Sequence, residues 1–135
     1  MQISVKSIKA TAMLGVCWVM LAPTVHADSH GNAHVHSREF KGQVYVMYHD
    51  HMSLYTYDND ALGVSTCVAD CAQTWMPALL PAGTELGENY SLIVRDDGSM
   101  QAAFRGMPLY LYSGDARPGD INGDGVDGLW RLARP

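Results

Sequence analysis

The stretch LYTYDND, residues 54–60, returns 55 residues later as LYLYSGD, residues 109–115. Seven of the 25 positions from His51 to Trp75 are identical at this offset, where chance would give about one or two. A fixed offset of this kind indicates one structural unit that is used twice. The residues that define the repeat are Tyr55, Tyr57, Asp60, Trp75, Tyr110, Tyr112, Asp115 and Trp130.

The first 27 residues have the pattern of a secretory signal peptide. Lys6 and Lys9 precede an apolar run at 10–21, and Ala27 ends a small-residue cleavage pattern. The run is too short to span a bilayer as a permanent helix. Cys17 lacks the small preceding residue that lipid attachment favours. We therefore expect cleavage after Ala27, residence in the periplasm or outside the cell, and no membrane span in the mature chain.

The mature chain is acidic and keeps two cysteines. Removal of the signal peptide leaves 108 residues with seven basic and 14 acidic side chains, a net charge of −7. Nucleic acids and anionic lipid surfaces repel such a chain, so we expect neither as a partner. Cys67 and Cys71 should form a disulfide in an oxidising compartment, whereas the same spacing in a reducing compartment could hold a metal ion.

The apolar pattern from residue 40 onward predicts a mainly β fold. Alternating apolar and polar residues predict strands at 44–48, 52–57, 89–94, 99–105, 107–112 and 130–132. A short helix is expected within 67–75 and should end before Pro77. Seven tyrosines and two tryptophans of the mature chain provide rings that pack flat in a core and hydrogen-bond at their ends. The alternative use of these rings is an exposed platform for a sugar or another planar ligand.

These elements predict one small domain, residues 40–135, built from two similar half-units. Each half-unit consists of β-hairpins plus a short helix, at about 44–80 and 99–135, and one disulfide lies in the first. Residues 28–39 are polar, lack periodicity and contain three histidines, so they are expected to be a flexible tail.

The combination of motifs resembles a known family. The repeated Tyr-x-Tyr-x-x-Asp stretch, the two cysteines, Trp75, Gly106-Met107-Pro108 and Trp130 are similar to the secreted repeat proteins known as predicted lipoproteins with a Yx(FWY)xxD motif. The resemblance covers about residues 44–135. It implies an exported bacterial protein, often lipid-anchored, with the repeat in pairs or longer arrays and no settled biochemical role. This chain carries His51 where the family, and its own second copy at Gly106, prefer glycine.

The segment after Asp115 contains half of a calcium-binding pattern. Asp120, Asn122 and Asp124 stand at positions 1, 3 and 5 with a glycine at position 6. Arg131 occupies position 12, where a bidentate glutamate is expected. At the repeat offset this segment aligns with the loop of Cys67 and Cys71, so both should be the same structural loop. We expect the second loop to be held without a covalent bridge, by hydrogen bonds of its own side chains in preference to calcium.

A histidine and methionine set is the second candidate for a metal site. His49 and His51 lie at a predicted hairpin turn with Asp50 between them and Met47 and Met52 nearby. Imidazole and thioether groups suit copper, and imidazole alone suits zinc or nickel. The alternative is a solvated turn and a mobile tail that contain histidines, the tail residues being His30, His34 and His36.

No nucleophile–base motif is present, and there is no phosphate-binding glycine loop. Asp58 and Asp60 form a carboxylate pair, but at the start of a loop they are expected to cap backbone amides. The sequence therefore favours an exported binding or interaction domain that is linked to a metal ion, with an envelope ligand or protein as its partner. The alternatives are an enzyme that acts on envelope material through carboxylates such as Asp60 and Asp115, and a structural envelope protein.

Overall fold

A computed structural model describes residues 34–135, and the expected signal peptide and the start of the expected tail lie outside the described residues. The elements are β1 (Val35–Phe40), β2 (Gln43–Tyr48), β3 (Tyr55–Tyr57), α1 (Asp70–Thr74), β4 (Trp75–Pro77), β5 (Tyr90–Val94), β6 (Met100–Phe104), β7 (Met107–Pro108), β8 (Tyr110–Tyr112), a 3-10 turn (Val126–Gly128) and β9 (Trp130–Leu132). The strands form three small antiparallel sheets, with the orders β1-β2, β4-β8-β3-β9 and β5-β6-β7. The predicted mainly β fold of two repeat units with one disulfide is confirmed.

The structure extends the ordered chain further towards the N-terminus than the sequence indicated. Residues 35–39, expected to belong to a flexible tail, are part of β1, which pairs with β2 from Val35 opposite Tyr48 to Phe40 opposite Gln43. Val35 is buried in a core cluster, while 37–39 are polar and exposed. The sequence pattern does not predict this strand, because Val35 is the one apolar residue near its start and a single valine gives little periodicity.

The helix after Cys67 is shorter than expected. It is the single turn α1, and Trp75, expected at its end, begins β4 and pairs with Tyr112. The chain leaves the helical conformation at Trp75, with φ −118° and ψ 86°. This change directs the indole ring into the core instead of along a helix face.

The two copies, residues 35–80 and 90–135, have the same order of elements. The β1–β2 hairpin corresponds to β5–β6, β3 to β8, α1 to the 3-10 turn and β4 to β9. In the central sheet, however, β4 of the first copy pairs with β8 of the second, and β9 of the second pairs with β3 of the first. Two more backbone bonds repeat this exchange, from Ala78 N to Leu109 O at 3.0 Å and from Ala133 N to Leu54 O at 2.9 Å. Neither copy therefore completes its own sheet.

Four aromatic rings stack along the line where the copies meet. Trp75 and Trp130 lie face to face with ring centroids 3.8 Å apart and an interplanar angle of 4°. Tyr57 stacks on Trp130 and Tyr112 stacks on Trp75, each at 4.3 Å. The two indole rings are buried, so they fill a core cluster and do not form an exposed platform for a ligand.

The turns that follow β2 and β6 differ by one residue. In the second copy, Arg105 and Gly106 form a two-residue turn, with φ of 47° and 82°. The first copy has three residues, 49–51, closed by a bond from Tyr48 N to Met52 O of 2.8 Å. His51 has φ 64° at the place that Gly106 fills in the second copy, so a histidine there adopts the left-handed conformation that glycine adopts without cost.

Within residues 34–135 no helix is long and apolar enough to cross a membrane.

Candidate functional site

The repeated tyrosines and aspartates form a crossed pair of hydrogen bonds. Tyr55 donates to Asp115 Oδ2 at 2.6 Å, and Tyr110 donates to Asp60 Oδ2 at 2.7 Å. Each tyrosine therefore binds the aspartate of the other copy. Asp60 and Asp115 are buried, with 9% and 8% of their surface exposed, so each carboxylate needs hydrogen-bond donors within the protein.

The other oxygen of each carboxylate accepts from a loop backbone. Asp60 Oδ1 accepts from Thr66 N at 2.8 Å and from Thr66 Oγ1 at 2.6 Å. Asp115 Oδ1 accepts from Asn122 N at 2.9 Å. The prediction that Asp60 caps a backbone amide is confirmed, whereas Asp58 forms an exposed ion pair with Arg131 at 3.0 Å.

A chain of hydrogen bonds links Asp60 to a cation. Arg95 donates to Ser65 Oγ at 2.6 Å, and Ser65 Oγ lies 2.6 Å from the Tyr110 hydroxyl. Because Tyr110 donates its proton to Asp60, Ser65 must donate to Tyr110. The positive charge of Arg95 thus compensates the negative charge of the buried Asp60 through the hydroxyl groups of Ser65 and Tyr110. The network therefore stabilises the fold.

Both crossed tyrosines hold their protons tightly. Burial, reinforced by the hydrogen bond to Asp60, raises the pKa of Tyr110 to about 12 despite the opposing effect of Ser65. Burial and the hydrogen bond to Asp115 raise the pKa of Tyr55 further. A phenolate at either position would face a buried carboxylate, so both tyrosines act as donors and not as proton-transfer groups at neutral pH.

The loop that resembles half a calcium site uses its three side chains separately. Asp120 Oδ2 accepts from the backbone nitrogens of Ala116 and Arg117 at 3.0 and 2.9 Å. Asn122 Nδ2 donates to a backbone carbonyl at 3.3 Å, and Asp124 Oδ1 accepts from a backbone amide of β9 at 2.9 Å. The corresponding loop of the first copy contains the Cys67–Cys71 disulfide.

Two histidines of the expected tail, His34 just before β1 and His36 within it, lie beside the predicted turn histidines. His36 and His51 lie with ring centroids 5.4 Å apart, and His34 and His49 lie 6.4 Å apart. Met47 is fully buried in a core cluster, which removes it from the expected ligand set. Over residues 34–135 no three histidine, cysteine or acidic side chains are arranged to hold one metal ion.

Two clefts were not expected from the sequence. One, of about 410 Å³, lies between the β6–β7 turn and the C-terminal segment and is lined by Phe104, Arg105, Met107, Leu132 and Arg134, among others. We call it the arginine cleft. The other, of about 470 Å³, lies between α1 and the β5–β6 turn and has Asp96 and Asp97 at its rim. Each cleft is lined by residues that are far apart in the chain, so no local motif could indicate either one.

The comparison with known proteins agrees with the internal repeat. A family described as a secreted repeat of unknown function, Lipoprotein_15, matches residues 41–79 and residues 91–134. The first match begins just after β1, and the second begins within β5. No curated protein and no solved structure matches the chain. Since the two matches together cover more than half of the chain, the protein belongs to this family of secreted repeats.

Proposed function

We propose that this secreted repeat protein is a binding domain without catalytic activity, and that the arginine cleft holds an anionic ligand with an apolar body. The observation that carries the proposal is the presence of two arginines and no acid among the lining residues of this cleft, in a chain that is acidic as a whole. The proposed place of action is the periplasm or the medium, after cleavage near Ala27.

The apolar lining of the arginine cleft supports the proposal of a ligand with an apolar body. Phe104 and Leu132 are buried at 7% and 3% exposure and present their outer edges to the cleft beside the half-buried Met107. Covering such surface contributes about 25 cal/mol per Å² of apolar area removed from water. A ligand that carried only charge would leave this contribution unused.

The charges at the rim support an anion. The two ion pairs within residues 34–135 are Arg131–Asp58 and Arg134–Asp124, so Arg105 has no carboxylate partner there. The Arg105 guanidinium lies 5.0 Å from the centroid of the Phe104 ring. A planar guanidinium in this position matches a carboxylate or phosphate group through paired hydrogen bonds.

The backbone holds Arg105 at an unusual place. Its φ of 47° puts it in the left-handed region, in a two-residue turn where Asn, Asp or Gly is usual. Its backbone nitrogen donates to Asn89 O at 2.7 Å, which fixes the turn against the connection between the copies. A long cationic side chain at a costly backbone position is the kind of feature found at ligand contacts.

The alternative functions have weaker support. Asp60 and Asp115 are buried, and each accepts bonds on both oxygens, so a substrate would have to displace them before acid–base chemistry could begin. A purely structural role accounts for the ring stack, the crossed bonds and the Arg134–Asp124 ion pair, but it gives no reason for Arg105, which has no carboxylate partner within residues 34–135, at an apolar cleft.

Calorimetry with two matched probes tests the proposal. We expect 2-naphthoate to bind and the uncharged 2-naphthamide to bind at least tenfold more weakly, a difference of about 1.4 kcal/mol. Arg105→Gln should weaken naphthoate binding by a similar factor, because it removes a charge-assisted hydrogen bond.

Lys41→Gln is the control, because Lys41 also has a positive φ, stands before a glycine and lies over the ring of a preceding phenylalanine, but is not part of the cleft. It should leave binding unchanged. Equal binding of the two probes, or an equal effect of the two substitutions, would refute the anionic site.

A further inference from the structure

We propose that His36 of β1 and His51 of the turn after β2 form a two-histidine site for a divalent transition-metal ion that prefers tetrahedral coordination, such as Zn(II). The site lies outside the arginine cleft and does not depend on it. Zinc prefers four ligands in a tetrahedral arrangement, whereas Cu(II) and Ni(II) prefer square-planar or tetragonal ones.

The spacing of the two rings fits chelation. Imidazole nitrogens bind these metals at about 2.0–2.1 Å, which places each ring centroid about 3.2 Å from the ion. Two such rings at a tetrahedral angle have centroids about 5.2 Å apart. The His36 and His51 rings are 5.4 Å apart, whereas the His34 and His49 rings, at 6.4 Å, would need an almost linear arrangement.

One nitrogen of His51 already acts as an electron-pair donor. Arg38 Nη1 lies 3.1 Å from His51 Nε2. A guanidinium has no lone pair to offer, so His51 Nε2 must be the acceptor and must be unprotonated in this arrangement. A metal ion requires the same lone pair. Arg38 and the metal ion therefore compete for His51, and the arginine charge also repels the cation.

The backbone around His51 is fixed before any metal binds. Asp50 Oδ1 accepts from Met52 N at 3.1 Å, so this carboxylate caps the turn. His51 O accepts from Gly119 N of the second copy at 3.0 Å. The left-handed conformation at His51 is thereby held from both sides, and chelation would not have to order a mobile loop.

The ligand count sets the kind of site. Over residues 34–135 no group of three histidine, cysteine or acidic side chains is arranged to hold one ion, so this part of the chain supplies two ligands. A site with two protein ligands and open positions suits an ion that exchanges with its surroundings, in contrast to the closed four-ligand shell of a structural zinc site.

Calorimetric titration of the full mature chain with Zn(II) tests the site. His36→Ala and His51→Gly should each weaken binding at least ~10-fold, because the second ligand no longer binds intramolecularly. Glycine suits the positive φ of residue 51, so this variant should keep the fold and its metal-free melting temperature. Arg38→Gln should strengthen binding several-fold because the competing cation is gone, an effect that a purely structural role of His51 would not produce.

His34→Ala and His49→Ala are the matched controls, since they remove imidazoles from the same hairpin end. Both should leave the affinity within about twofold of the unmodified protein. If they weaken binding as much as His36→Ala and His51→Gly do, the assignment of the pair is wrong. Unchanged binding by the His36→Ala, His51→Gly double variant, or weaker binding by Arg38→Gln, overturns the proposal.

Discussion

Single residues explain why the repeat carries the pattern Tyr-x-Tyr-x-x-Asp. The first tyrosine, Tyr55 or Tyr110, lies fully buried and donates to the aspartate of the other copy. The second tyrosine stacks on a tryptophan. The aspartate accepts the crossed bond and also caps its own loop. Each position thus has a separate task, and all three positions make a contact with the other copy.

The crossed bonds can be tested by removing one hydroxyl group. Tyr110→Phe keeps the buried ring but leaves Asp60 without one donor and interrupts the link to Arg95. We expect the free energy of unfolding to fall by about 2 kcal/mol, because hydrogen bonds to buried charged groups contribute about 1.5–3 kcal/mol. Urea denaturation followed by tryptophan fluorescence measures the change.

Tyr57→Phe is the control for this substitution. Its hydroxyl accepts from the exposed Asn59 at 2.9 Å, and its ring stacks on Trp130 with or without the hydroxyl. The loss should stay within about 0.5 kcal/mol. Equal losses in the two variants would mean that the crossed bond contributes nothing beyond an exposed one.

A sequence repeat identifies equivalent residues but does not predict which of them are in contact. The 55-residue offset identified Tyr55 with Tyr110 and Asp60 with Asp115 as equivalent positions. An offset describes equivalence and contains no information on contacts, so bonding within a copy and bonding between copies were equally compatible with it. The crossed hydrogen bonds are visible only in the three-dimensional structure.

At the level of elements, the two copies hold one equivalent loop by different chemistry. The first copy closes the loop with the Cys67–Cys71 disulfide. The second uses Asp120, Asn122 and Asp124, each bonded to a different backbone group. Since the three side chains serve three separate places, they do not converge as calcium ligands must.

We therefore expect calcium to leave the melting temperature unchanged. A cation at 100 times its dissociation constant would add about 2.7 kcal/mol, which corresponds to several degrees for a domain of this size. Melting in excess calcium and again in chelator measures this directly. Asp124→Ala should lower stability by about 1 kcal/mol in both conditions, because Leu132 N loses its acceptor. A clear rise with calcium would instead show that the loop rearranges into a cation site.

Strands were easier to predict than the helix or the clefts. Residues 90–94 and 130–132 alternate between more and less buried positions, and these strands lie where the pattern placed them. Residues 100–104 also form a strand within the predicted range 99–105, although their burial does not alternate. The helix was placed too long because Cys67, Cys71 and Trp75 have helical spacing, although Trp75 lies in a strand. That spacing reflects the disulfide and the ring stack and not a continuous helix face.

At the scale of the whole molecule, the domain consists of two copies that complete each other's part of the central sheet. Each copy gives one strand to the other, and the central sheet has β4 at one edge and β9 at the other. The loop after Gly123 covers part of the β9 edge through the bonds from Gly125 N to Trp130 O and from Leu132 N to Asp124 Oδ1. Each copy therefore supplies the strand partner that the other lacks, and the aromatic stack lies where the two copies meet.

This exchange predicts that neither copy folds alone. A chain of residues 34–84 would contain β3 and β4 without the partners β9 and β8, and it would place Trp75 in water without Trp130. Residues 85–135 would lack the reciprocal groups. Mixing the two fragments should restore the sheet, the ring stack and both crossed bonds, because the connection at 81–89 contributes no strand.

Circular dichroism and urea titration of each fragment and of the equimolar mixture provide the test. We expect no cooperative transition from either fragment at low concentration and a cooperative transition from the mixture, with a midpoint that rises with concentration. Tyr110→Phe in the second fragment should weaken the association, since its hydroxyl bonds to Asp60 of the first. A fragment that unfolds cooperatively as a monomer would show that one copy is a domain by itself, and the exchanged strands would then be a docking contact instead of the basis of the fold.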